Sequence, residues 1–134
     1  MNFLIDFLTQ DLKKSAPPDS EILDAVIRSL NSKMPDDYLQ FIQGHNGADG
    51  FVGANSYLQI LKIEKLIDWN KNYEVDKYAP GYLIFASDGG GTAYAFHKMT
   101  GTALSFKFIG MSIQDKPNIL GENFIEFLTY LFRA

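Results

Sequence analysis

A chain of 134 residues with 46% hydrophobic and 14% aromatic side chains is long and apolar enough to bury one core, and its 21% of charged residues excludes the composition of a disordered chain. It has no cysteine, which excludes disulfides, thiolate-bound zinc and a cysteine nucleophile together. The net charge is −4 and only two of the twelve basic residues are Arg, so no basic stripe tracks a phosphate backbone and nucleic acid is not expected as a partner.

The opening Met1-Asn2-Phe3-Leu4-Ile5-Asp6 lacks the basic region of a signal peptide, and Asp6 and Asp11 interrupt its apolar run. No stretch reaches the roughly 20 apolar residues that span a bilayer. A cytoplasmic chain without membrane contact is expected.

The spacing of Phe3, Leu4, Phe7, Leu8 and Leu12 predicts a first helix with these residues on its buried face and Asn2 as N-cap. Ser15-Ala16-Pro17-Pro18-Asp19 stops it. A second helix is expected from Ser20, its cap, with Ile22, Leu23, Val26, Ile27 and Leu30 inward. A third starts at Pro35, buries Tyr38, Leu39, Phe41 and Ile42, and ends at Asn46-Gly47.

The period then changes. Residues 57–61 read as a strand, 63–73 as a helix and 82–86 as a central strand. Residues 92–97 and 102–109 alternate as two further strands. Asp88-Gly89-Gly90-Gly91 and Thr100-Gly101 supply the turns of this three-stranded meander. A last helix places Phe124, Phe127, Leu128 and Leu131 on the core. The fold class is α+β: a mainly antiparallel sheet bracketed by N-terminal and C-terminal helices, in one domain over residues 1–134.

The candidate chemistry is sparse. A phosphate loop would carry Gly89-Gly90-Gly91 into a helix, but an alternating strand follows; a tight turn with at least one glycine at positive φ is expected. His45 and His97 lie on different elements without a spaced ligand set, so no metal and no cofactor are expected. Ser87, Asp88 and His97 are the residue types of a hydrolase but lack its G-x-S-x-G elbow. Asp36 and Asp37 complement the dipole of the third helix. Trp69, the only tryptophan, reads equally as a core contact and as an interface anchor.

Three segments carry a likeness. Met34-Pro35-Asp36-Asp37-Tyr38-Leu39-Gln40-Phe41-Ile42 is followed by Asn46-Gly47. Then come Asp88-Gly89-Gly90-Gly91-Thr92-Ala93-Tyr94-Ala95-Phe96 and a closing Phe124-Ile125-Glu126-Phe127-Leu128. In this order they resemble the SUKH superfamily, from about residue 22 to the C-terminus, leaving residues 1–19 as an extra helix and turn. Thr92 and His97 stand near positions where that superfamily often has acidic or amide side chains. The resemblance implies a fold signature in Pro35, Tyr38, Phe41, Asn46, Gly47, Asp88, Gly89 and Gly91. It also implies a function through protein contact, as an immunity protein that binds and blocks a toxin, or as a regulatory interaction module. A basic toxin domain such as a nuclease suits the acidic balance. An enzyme, such as a small hydrolase, is the disfavoured alternative. Trp69, Tyr73, Asp76 and Tyr78, outside the signature in a stretch rich in aromatics and carboxylates, are the expected partner-binding residues.

Overall fold

A computed structural model describes residues 2–110 and 117–134. The described chain runs α1 (Phe3–Leu8), β1 (Leu12–Lys14), α2 (Ser20–Leu30), α3 (Asp36–Gly44), β2 (Ala48–Val52), β3 (Ser56–Ile60), a 3₁₀ turn (Ile63–Lys65), α4 (Leu66–Asn72), α5 (Val75–Tyr78), β4 (Tyr82–Ser87), β5 (Thr92–His97), β6 (Ala103–Lys107), β7 (Asn118–Gly121) and α6 (Phe124–Arg133). The seven described strands pair antiparallel in sequence order, β1 to β7, so the α+β class holds and the expected meander is the middle of a larger one.

Cross-strand partners share a face, and the register therefore sorts the side chains. On one face, Leu12, Ala48, Val52, Leu58, Ile60, Leu83, Phe85, Tyr94 and Phe96 are buried. The helices α3 and α6 seal this core. Tyr38 of α3 meets the rings of Phe85, Phe96 and Phe124 at 5.4, 4.9 and 5.6 Å. Phe127 of α6 meets Phe85 at 5.3 Å and Tyr94 at 5.1 Å.

The other face carries Ile84, Ala93, Ala95 and Leu104, also buried. Here α4 and α5 cross β4, and the alanines leave room for them. Asn70 fixes α4 to the sheet: its Nδ2 donates to the Ile84 carbonyl at 3.0 Å and its Oδ1 accepts the Ile84 N–H at 2.8 Å. β3 ends at Ile60, and this side-chain amide satisfies the backbone edge that β3 leaves open.

α6 is fastened at both ends. Asp37 of α3 accepts the N–H groups of Phe124 at 3.1 Å and Ile125 at 2.9 Å. At the other end Ser56 Oγ donates to the Leu131 carbonyl at 2.7 Å, and a Cβ at Gly53 (φ +70°) would lie 2.6 Å from the Phe132 carbonyl oxygen.

Several expectations are corrected. α1 buries Ile5 and Leu8, while Phe3 (88% exposed), Leu4 and Phe7 face outward and Leu12 belongs to β1. A helix of two turns offers only a narrow row to the core, and Thr9 ends it by capping back onto Ile5. Asn2 does cap it, accepting from Leu4 and Ile5. Asp19, not Ser20, caps α2, and of its apolar stripe Leu23 is buried and Ile22 exposed. α3 ends at Gly44 with His45 as C-cap; Asn46-Gly47 lies beyond it and turns the chain into β2. The helix expected over 63–73 is a 3₁₀ turn followed by α4.

Tyr94 gives the fold an alkaline limit. Burial first, then the neighbouring charges of Asp88 and Tyr130, raise its phenol from 10.0 to about 12. Tyr38 is raised as well, by burial. Folding thus favours the neutral phenol. Its contribution is complete below the ordinary tyrosine range and is lost as pH rises through the folded value. The urea midpoint is expected to fall on passing from about pH 9 to about pH 11, and Tyr94→Phe should lessen that fall.

Candidate interaction surface

The second face is crossed by α4 and α5 at β4. Its other half, from β1 to β3, carries Lys13, Asp49, Phe51, Tyr57 and Gln59 in register, with Phe51 50% exposed. Tyr57 organises this surface. Its hydroxyl donates to Asp49 Oδ2 at 3.0 Å, which holds the phenol above its ordinary range, and its ring stands edge-on to Phe51 at 5.4 Å. The turn between β4 and β5 abuts the same ring: a Cβ at Gly89 (φ +80°) would lie 3.0 Å from it.

Between these residues and the start of α4 lies an open groove of about 920 Å³. Tyr57 and Gln59 line it together with Asp49, Asp88, Lys62, Lys65 and Trp69. Two carboxylates and two ammonium groups thus border an aromatic surface.

The β4–β5 turn is closed on itself. Asp88 Oδ1 accepts from Gly90 N at 2.8 Å and Thr92 N at 3.1 Å, and Ser87 Oγ accepts from Gly89 N at 3.1 Å. Strand β5 follows, as expected of a hairpin, so three of the amides that would cradle a phosphate are already taken.

The four residues expected to bind a partner form two groups. Trp69 and Tyr73 join Phe108 in one cluster, with ring separations of 5.8, 6.0 and 4.5 Å. Trp69 is half-buried there, packed against the core, and also borders the groove. Asp76 and Tyr78 lie on α5. The Asp76 carboxylate is 92% exposed and 3.6 Å from Lys98 Nζ, and Lys77 Nζ sits 5.1 Å from the Tyr78 ring centre. Asp76, Lys77 and Lys98 border a second groove of about 480 Å³.

Asp49, Phe51, Tyr57 and Gln59 were not singled out from sequence. Their signal is two short alternations joined by a hairpin, which becomes visible once β2 is recognised as a strand.

The hydrolase constellation does not assemble. Ser87 pairs with Ala93 and His97 with Tyr82, at opposite ends of the β4–β5 ladder. Five residues of strand, about 16 Å, separate those ends. His97 Nδ1 accepts the Met99 N–H at 3.1 Å, and His45 packs on Phe41 at 5.4 Å. Among the described residues no three His, Asp or Glu side chains converge as metal ligands, and no helix is long and apolar enough to cross a membrane.

The signature residues build the frame. Pro35 stands at the N-cap of α3, Tyr38 and Phe41 pack its buried side, and Asn46 Oδ1 accepts the Ile63 N–H at 2.8 Å at the start of the 3₁₀ turn. At Gly47 (φ +92°) a Cβ would lie 3.0 Å from the Ile60 carbonyl oxygen. The model of the SMI1/KNR4 family (SUKH-1) matches residues 17–130. The chain belongs to this family. No curated protein sequence matches it. The part of the SUKH-1 chain outside the match includes α1, whose exposed face has no counterpart in the signature.

Proposed function

We propose that this SUKH-1 chain is a protein-binding immunity protein that neutralises a cognate bacterial toxin by occluding it, without catalysis of its own. The observation that carries this reading is the half-sheet from β1 to β3, which is open among the described residues and leaves Phe51 half exposed. Phe51 and Tyr57 stand on a rigid antiparallel ladder beside an open groove, and Trp69 and Tyr73 extend the aromatic surface onto α4. Rigid aromatic anchors of this kind dominate the energy of protein interfaces. Asp49 and Asp88 suit basic side chains of a toxin, and Lys62 and Lys65, which border the same groove, suit acidic ones. The family also fits the second reading, a regulatory interaction module without a toxin.

The direct experiment is a search of the adjacent genes for a toxin domain, co-purification with any that is found, and protection of cells that express it. Tyr57→Ala is expected to weaken the complex about 30-fold through a faster off-rate. Asp76→Asn should slow association and flatten its dependence on salt, because the exposed α5 carboxylate acts at long range. A domain that neither binds nor protects would favour the regulatory module.

A further inference from the structure

Asn46-Gly47 carries a reactivity of its own. In an Asn-Gly pair the glycine amide nitrogen, unhindered by a side chain, attacks the asparagine Cγ. The bond from Cγ to the side-chain nitrogen breaks, ammonia leaves, and water opens the cyclic imide to aspartate or isoaspartate. Water is the only co-reactant.

In the folded chain both reacting groups are held apart from this path. Asn46 is 7% exposed. Its Oδ1 accepts the Ile63 N–H at 2.8 Å and its Nδ2 donates to Glu64 Oε1 at 2.6 Å, so Cγ is turned toward the 3₁₀ turn. The Gly47 N–H donates to the His45 carbonyl at 2.9 Å, and the flanking backbone is pinned by Asn46 N to Ala16 O and Ser15 N to Gly47 O. Ring closure requires the side chain to release both of its bonds.

We infer that Asn46 is a spontaneous deamidation site gated by folding, closed in the native chain and opened by unfolding, whose product folds less stably. An aspartate at this position has no N–H for Glu64, and two carboxylates then meet in one contact. An isoaspartate lengthens the backbone beside Gly47, where the chain is closely packed: a Cβ on Gly47 would lie 3.0 Å from Ile60 O and 3.2 Å from Lys62 N.

The test compares the wild-type chain held native and held in urea at mildly alkaline pH, with peptide mapping for the exchange of –NH2 for –OH at Asn46. Conversion is expected to be at least about tenfold faster in urea, because the reaction follows the open population. Equal rates, or no conversion in urea, would overturn the inference. In parallel, Asn46→Asp is expected to lower Tm by about 5 °C, and adding Glu64→Gln should restore most of it, since the introduced glutamine amide donates to the new carboxylate. An Asn46→Asp chain as stable as wild type, or one that Glu64→Gln does not rescue, would overturn the claim about the product.

Discussion

Tyr38→Ala is expected to cost about 4 kcal/mol of stability, whereas Tyr38→Phe should cost nothing or add about 1 kcal/mol. The ring is fully buried and contacts Phe85, Phe96 and Phe124, so truncation opens a cavity at the meeting point of α3, α6 and the central strands. The hydroxyl contributes none of this. It has no hydrogen-bond partner among the described residues, and burial raises its pKa. Urea unfolding of both variants checks the pair. A Tyr38→Phe chain much weaker than wild type would show that the hydroxyl is satisfied in solution.

Asp37→Ala is expected to cost about 3 kcal/mol, and Asp37→Asn roughly half as much. The carboxylate accepts the Tyr38 N–H at 3.0 Å on its own helix and the first two N–H groups of α6 from across the chain. Its removal leaves part-buried donors without partners and withdraws a negative charge from the positive end of α6. Asn123 still caps the Glu126 N–H at 2.8 Å, so α6 should persist while its docking weakens. Urea midpoints at unchanged slope are the measurement; a shift of less than about 1 kcal/mol would mean that Asn123 alone suffices.

The core was legible because its helices and central strands keep strict periods. Phe124, Phe127, Leu128 and Leu131 recur at helical spacing, strand β5 spans residues 92–97 as its alternation predicts, and all four of those helix residues are buried. β1 and β2 were not legible. Ala48-Asp49-Gly50 has little strand propensity, and Gly50 sits at φ +147°, where a Cβ would meet Asp11 O at 2.8 Å. Pairing on both sides, not composition, makes that segment a strand. The open half-sheet depends on β2 and was hidden with it. Asp37 was legible only in part for a similar reason: it stands in the first turn of α3 as expected and accepts the adjacent Tyr38 N–H, but its other two partners lie 87 and 88 residues away. Of the expected partner residues, Trp69 and Tyr73 come together because they are one helical turn apart, whereas Asp76 and Tyr78 follow the break at Glu74 (φ +52°) and lie on a separate helix.

The most direct test of the proposed binding surface is the affinity for a toxin domain found encoded beside this gene, measured with variants on opposite faces of the sheet. Tyr57→Ala lies on the open half-sheet; Tyr130→Ala lies on the solvent side of α6, which covers the other face. Tyr57→Ala is expected to lose about 30-fold in affinity and Tyr130→Ala none, with both chains folded. The reverse pattern, or equal small effects at both positions, would rule out the open half-sheet as the binding surface.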